Sequence, residues 1–431
     1  MPTFTSREID HLRGRLEATW DRLSPEYRLP NQILGHKRVI GCVALEITQR
    51  CNFDCSICYL SENSESTADV SMECIMARID RIREDYGVGT NVQITGGDPT
   101  MRDHDELELI VRTIAEKKMT PALFTNGDLA TRKLLRRLAN AGLVDVAFHV
   151  DLTEKRKGYR SEKQLCEVRQ EYIERARGLG LNVIFNQTVF ARNFDEVPEL
   201  VRFYKRNSDV VGMASFQLQA DTGRGTNRTR KQTISIDTVS EQIEVGLEAQ
   251  LSWDSVRVGS PECHKMAYAA VLDRTGDMDV VDMVDDPTIF SDLLEVMDDV
   301  YIDRHRPIKG ARTALSVIVK RGLLPKAVGH LMRHVRANWR PLVRGKGEVR
   351  KLSFFMQNFQ DAQSLDHQRI DNCSFHCMTD DGGVSMCVHN AYRDHYLQGG
   401  TGYPEAYRQQ RIAAGFDPDG PGRSREVSAA K

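Results

Sequence analysis

Cys51-Asn-Phe-Asp-Cys55-Ser-Ile-Cys58 follows directly on the β-branched run Val43-Ala-Leu-Glu-Ile-Thr48, and this junction decides how the chain is read. The spacing is C-x3-C-x2-C. Three thiolates this close on one loop suit three irons of a [4Fe–4S] cube, whereas full ligation takes four cysteines. The next cysteine, Cys74, lies outside the loop, so one iron is left open to a substrate or cofactor. A structural zinc site is the competing reading, but zinc knuckles usually pair one C-x2-C with a second.

Outward from the triplet, short β-branched runs alternate with amphipathic helical segments. Strands are expected at 39–47, 91–95, 120–124, 144–149, 182–189 and 210–217, and helices at 72–84, 105–117, 131–141, 162–178 and 194–206. Six βα units in succession predict a parallel sheet, open or partly rolled. A full eight-unit barrel needs about 250 residues, more than this tract offers. The expected fold class is α/β: a partial (β/α)6 TIM-type barrel over 39–260, after a helical lead-in over 1–38. A cysteine-rich α+β domain with a basic helical insertion is expected over 261–400. A Gly/Pro-rich tail over 401–431 is expected to be partly disordered.

The second strand ends in Gly96-Gly97-Asp98-Pro99. Paired glycines let backbone groups approach a ligand closely. Together with the triplet one strand earlier, this resembles the radical S-adenosylmethionine (SAM) enzymes. Their open iron chelates the amino and carboxylate groups of SAM, and a Gly-Gly-Glu-Pro motif receives the SAM amino group. Here Asp98 stands in place of the usual Glu, and Ile57 in place of a common aromatic. The resemblance implies that Cys51, Cys55 and Cys58 hold the catalytic cluster. It also implies that Gly96, Gly97, Asp98, Pro99, Asn126, Asp151 and Asn186, at strand ends facing one cavity, bind SAM or substrate. Thr125, Gly127, His149, Thr188, Gln217 and Gln219 are further polar candidates there, although strand-end polar residues often only cap the next helix.

Farther on lie Cys263-His264, Cys373-Ser-Phe-His376-Cys377 and Cys387-Val-His389. Cys263, Cys373, Cys377 and Cys387 suffice for a fully ligated second [4Fe–4S] cluster; zinc with His376 or His389 is the alternative. Cys42, Cys74 and Cys166 are left as buried thiols, because free cysteine packs as a small hydrophobe. The Asp361…Asp366…Arg369 run, this cysteine–histidine patch and Thr222-Gly-Arg-Gly225 resemble the group containing archaeal tetraether lipid synthases and pterin methyltransferase-like proteins. That resemblance implies C–C bond formation or methylation of a lipid-like or small-molecule substrate, with a reduced flavodoxin or ferredoxin as electron donor. A peptide-modifying radical SAM enzyme is the alternative within the class. An iron–sulfur electron carrier or redox sensor is the alternative outside it, but such a protein has no use for a SAM pocket.

With 59 Lys+Arg against 61 Asp+Glu, net charge does not point to nucleic acid. The polar N-terminus lacks a signal-peptide core, and the expected location is cytoplasmic, where disulfides are rare. One stretch departs from this balance: from Arg304 to Lys351 there are fourteen Lys/Arg and one acidic residue, Glu348. Within it a helix from Pro325 carries Val328, Leu331, Met332, Val335 and Trp339 as an apolar stripe, with Lys326, Arg333, Arg336 and Arg340 on other faces. Either the stripe packs on the barrel, or the helix meets an anionic membrane surface at the inner face. Nucleic-acid phosphate is a weaker third reading.

Overall fold

The computed structural model describes residues 4–225, 234–272, 279–296 and 307–421. The basic loop at 226–233, residues 304–306 of the basic tract and the tail at 422–431 lie outside them.

The first half is a run of strand–helix units. The strands are β1 (Cys42–Thr48), β2 (Asn91–Gly96), β3 (Thr120–Thr125), β4 (Asp145–His149), β5 (Asn182–Val189) and β6 (Val211–Leu218). Helix α1 (Ser6–Arg22) precedes them; α2 (Met72–Tyr86), α3 (His104–Glu116), α4 (Arg132–Ala141), α5 (Glu162–Ala176), α6 (Val197–Arg206) and α7 (Ile236–Leu247) follow in turn. Local chemistry sets these limits. Ser71 caps α2 by accepting from the Cys74 amide, Thr131 caps α4, and Gly142 ends α4 in the left-handed region at φ 110°, where a side chain would be strained. Alternation then sorts the faces. On β2, Val92 and Ile94 are fully buried under helices, while Asn91, Gln93 and Thr95 line the barrel interior.

The remaining elements are β7 (His264–Leu272), β8 (Val280–Asp282), α8 (Pro287–Val296), α9 (Pro307–Lys320), α10 (Leu324–Ala337), α11 (Trp339–Arg344), β9 (Val349–Gln357), α12 (His367–Asp371), β10 (Phe375–Thr379), β11 (Gly382–Ser385), α13 (Met386–Ala391), α14 (Arg393–Leu397) and α15 (Glu405–Ala413). All strands join one sheet, in the order β11-β10-β1-β2-β3-β4-β5-β6-β9-β7-β8. Six parallel strands come from the βα units, as expected. Two more parallel strands, β10 beside β1 and β9 beside β6, come from the C-terminal part. The strands after residue 260 thus extend the barrel sheet at both edges. The tail expected from 401 is also partly built in: α15 buries Tyr407 and Arg411 completely, and Arg411 pairs with Asp371 at 2.8 Å.

The basic tract forms α9–α11, and its apolar stripe does not pack on the barrel. Val328, Leu331, Met332, Val335 and Trp339 are all exposed, Trp339 by 55 %. The side of α10 nearest the protein carries Ala327, His330 and His334 instead. Ion pairs rather than apolar contacts tether this arm, Lys326 to Asp292 at 2.6 Å and Arg344 to Asp279 at 2.7 Å.

Candidate active site

The cysteine loop leaves the C-terminal end of β1 and is pinned from three sides. The Gly97 amide donates to Thr48 O and the Asp98 amide to Arg50 O, both at 2.8 Å. A Cβ on Gly96 would stand 1.9 Å from Thr48 O, and one on Gly97 2.1 Å from Arg50 O. Both glycines are thus required by backbone packed on backbone, not by a ligand alone. From β4 the Thr153 carbonyl accepts from Ser56 N at 2.8 Å, and after β6 the Arg224 amide donates to Cys58 O at 2.9 Å. Gly223 lies so close that its Cβ would meet Cys58 O at 2.6 Å, so the Thr-Gly-Arg motif closes the loop from above.

Cys51, Cys55 and Cys58 line one cavity and form no disulfide. Their ligand atoms do not gather within 4.8 Å of one another, as two other groups among the described residues do. A tetrahedral zinc with ~2.3 Å Zn–S bonds needs sulfurs roughly 3.8 Å apart, closer than the three loop thiols stand together. Burial pushes all three thiols up, Cys51 to about 11, so cluster binding must displace their protons.

Asp98 and Asp151 both carry structural hydrogen bonds. Asp98 is 1 % exposed; its oxygens accept from Thr100 N at 2.9 Å, Thr125 Oγ1 at 2.8 Å and Asn126 N at 2.7 Å. The carboxylate is spent on tying the turn after β2 to the end of β3. That position also orients Asn126, whose side-chain amide reaches Asn52 Oδ1 at 2.7 Å and stands 3.9 Å from Cys51 Sγ. Asp151 is fully buried and pairs with His149 Nε2 at 2.8 Å, while accepting from Thr188 N at 2.7 Å. Burial disfavours a charged imidazole, but the Asp151 carboxylate outweighs it and lifts His149 to about 9. The group presented to the cavity on β4 is therefore a cationic His149. Beside it Glu154, which no sequence motif singled out, also lines the cavity; burial lifts it to about 7 despite its ion pair with Arg156 at 2.7 Å.

The cavity measures about 520 Å³ and runs from the cysteine loop down the barrel interior. Asn186 and Gln217 line it, joined by Gln93, Ser215, His264 and Gln357. Asn186 Oδ1 and His264 Nδ1 find no hydrogen-bond partner among the described residues. Buried polar atoms rarely stay unpaired without reason, so these two are left to a ligand. His264 stacks on Phe355 with ring centroids 5.3 Å apart and planes 11° from parallel. Burial pushes it down to about 3, which keeps its imidazole neutral.

The second cysteine set divides. Cys263, Cys373 and Cys387 act on one another electrostatically, and Arg369 acts on Cys263 and Cys387. The Arg369 Nε donates to Cys263 Sγ at 3.3 Å, Ser385 Oγ to Cys373 Sγ at 3.3 Å, and the Gln360 amide to Cys387 Sγ at 3.4 Å. Cys42, expected as an inert thiol, packs against the group holding Cys373 and is raised by burial and by Cys373. Cys377 lies in the same apolar cluster as Cys373, but the polar neighbours of its sulfur differ. Pairing of β10 with β1 sets it opposite Ala44, and its sulfur converges with Glu46 and His389 instead. Cys74 and Cys166 are only partly buried; Cys74 Sγ donates to Asp380 at 3.1 Å.

Residues 45–204 match the model of the radical SAM superfamily. The GTP 3',8-cyclase of Aliarcobacter butzleri is 30% identical over 262 residues, which is 56% of this chain and 78% of that protein. The chain belongs to the radical SAM superfamily. Members of this superfamily use a [4Fe–4S] cluster and SAM, and the triplet at Cys51, Cys55 and Cys58 is the part of this radical SAM chain that fits the cluster. The 7,8-dihydro-6-hydroxymethylpterin dimethyltransferase of Methanocaldococcus jannaschii is 30% identical over 201 residues, 45% of this chain. The chain spans 39% of that relative's length and 55% of the GTP 3',8-cyclase of Campylobacter curvus. Among solved structures, Streptococcus suis SuiB bound to precursor peptide SuiA aligns with a TM-score of 0.39 at 18% identity, over 51% of this chain and 49% of that one.

Proposed function

We propose that this radical SAM protein functionalises an unactivated C–H bond, by C–C bond formation or methylation, in a lipid-like or small-molecule substrate held within the barrel. The observation that carries this reading is the shared cavity: the three loop cysteines, the Gly96–Gly97 turn and the unpaired Asn186 Oδ1 and His264 Nδ1 all border one space. When bound, the cluster and SAM supply a 5′-deoxyadenosyl radical, the hard part of the chemistry, and the protein supplies orientation and exclusion of side reactions. Asp98 fixes the turn that receives SAM, and Asn126 is held against the cysteine loop. Cationic His149 places positive charge on the cavity wall, where it suits an anionic group of SAM or substrate. Neutral His264 and Asn186 accept or donate hydrogen bonds to the polar part of the substrate. Cys263, Cys373 and Cys387, with Cys42 beside Cys373, would hold a second [4Fe–4S] cluster, and a reduced flavodoxin or ferredoxin would supply electrons.

The exposed stripe of α10 supports a peripheral site of action. Trp339, Leu331 and Val328 lie open beside Lys326, Arg336 and Arg340, a combination that suits an anionic membrane interface. Among the described residues no helix is long and apolar enough to cross a membrane. A second reading is a water-soluble heterocycle, favoured by the flat His264–Phe355 pair on the cavity wall and by relatives whose names specify a pterin and GTP.

The test is anaerobic reconstitution with iron and sulfide, then dithionite and SAM. Formation of 5′-deoxyadenosine by the native chain, abolished in Cys55→Ala, is the expected result. A reducible cluster that never cleaves SAM would leave the electron-carrier reading in its place.

A further inference from the structure

A second concentration of metal-ligating side chains lies in the segment that follows β8 and on the helix α10. His330 and His334 are one helical turn apart, so both imidazoles project from the same side of α10. Their rings approach to 4.5 Å between centroids. Asp285, in the turn before α8, meets both: its Oδ1 lies 3.8 Å from His330 Nδ1 and 3.3 Å from His334 Nε2. The three ligand atoms all fall within 4.8 Å of one another.

The 3.3 Å separation is that of a coordination shell, and the 3.8 Å one is slightly wider. Zinc bonds to imidazole nitrogen and carboxylate oxygen at ~2.0–2.2 Å, which in a tetrahedron sets neighbouring ligand atoms roughly 3.3–3.6 Å apart. A second observation is independent of the spacing. His334 Nε2 is shielded from solvent yet makes no hydrogen bond, even with Asp285 Oδ1 at 3.3 Å. The lone pair and the carboxylate thus converge without satisfying each other. Arg333 borders the same point, its Nη2 lying 2.8 Å from His330 Nδ1 and 3.1 Å from Asp285 Oδ1. Its side chain is 51 % exposed and free to swing outward on its long stem, so the cation at this point is exchangeable.

We propose that Asp285, His330 and His334 form a mononuclear site for a divalent transition metal of the zinc class, separate from any iron–sulfur centre. Three protein ligands leave a fourth position to water. The site fastens α10 to the β8–α8 turn, and so explains why this helix turns His330 and His334 rather than its apolar residues toward the protein. Sulfur ligands are absent, so the site selects a metal that accepts imidazole and carboxylate.

The experiment uses the full chain with its iron–sulfur sites loaded anaerobically, incubated with zinc sulfate, freed of loose metal by gel filtration, and assayed for zinc and iron. The native protein should retain one zinc equivalent more than His330→Ala/His334→Ala, with equal iron in both. Arg333→Ala, which removes the competing cation, should bind zinc several-fold more tightly by titration with a competing chelator. Equal iron and 5′-deoxyadenosine formation in all variants show that they are folded. Zinc contents that match between native and double variant overturn the proposal, as does zinc gained only with an equivalent loss of iron, which would place it on the cysteines.

Discussion

Arg393, from the N-terminus of α14, grips Glu46 of β1 across 347 residues of chain, with Nη2 to Oε1 at 2.9 Å and Nη1 to Oε2 at 3.0 Å. The same guanidinium lies 4.7 Å from the centre of the Tyr59 ring, and Tyr59 donates to the Gly96 carbonyl at 2.7 Å. A residue far from both motifs therefore braces the loop of cysteines against the turn that receives SAM.

Removing one member of this buried pair strands the other. Arg393→Met should cost about 3–5 kcal/mol, while the double replacement Glu46→Met/Arg393→Met should recover most of that loss. Chemical denaturation of the three variants and the native protein, followed by circular dichroism under anaerobic conditions, checks this. Equal stability of the single and double variants would show that the pair is not coupled.

His149 gives a pH dependence whose sign follows from its partner. Its folded value is raised to about 9 from an ordinary 6.5, so its contribution is complete below 6.5 and is lost as pH rises to about 9. The upper bound is about 3.5 kcal/mol, at ~1.4 kcal/mol per pH unit. Stability of His149→Gln should be flatter than that of the native protein between pH 6.5 and 9, and the difference between the two curves is the measurement.

The division of the C-terminal cysteines predicts unequal effects on iron. A Cys51/Cys55/Cys58→Ala variant should keep about four irons. In that background Cys373→Ala should lose them, whereas Cys377→Ala should retain them, because Cys377 faces Glu46 and His389. Iron analysis of reconstituted protein decides it; loss of iron with Cys377→Ala would return that thiol to the ligand set.

Membrane association should depend on both faces of the basic arm. Each Lys or Arg near an anionic surface contributes about 1 kcal/mol, so binding to anionic vesicles should weaken steeply with salt. Trp339→Ala and Leu331→Asp should each reduce it further. Co-sedimentation with anionic and neutral vesicles at two salt concentrations is the assay, and failure to bind either would favour a soluble substrate.

Much of the barrel was legible in the sequence because its signals are local. Alternation in Asn91–Gly96 marks a strand with two chemical faces, and the caps Ser71 and Thr131 mark where helices begin. The contribution of β9 and β10 to the same sheet was not legible, since pairing between Cys42 and Phe375 leaves no trace in either segment alone. The same register explains Cys377: the Cys373–Cys377 spacing suggests one ligand set, but the strand between them carries the second thiol toward Glu46. On α10 the pattern located the apolar residues Val328 to Val335, while Trp339, expected on the same helix, begins α11. The pattern gave no information on what covers the stripe, and His330 and His334 took the inner side. His149 and Glu154 acquire their properties from burial and neighbours, which residue type does not encode.

The pairing of β10 with β1 also sets an order of events during synthesis. From Thr48 to Phe375 the ribosome adds about 330 residues, which at roughly 5–20 residues per second takes about 15–65 seconds. Throughout that interval one edge of β1 has no partner, and Glu46 awaits Arg393. The nascent chain therefore passes through a stage in which its metal-binding loop is reachable from outside and its first strand is a sticky edge. Pairing of β10 with β1, and of Arg393 with Glu46, ends that stage.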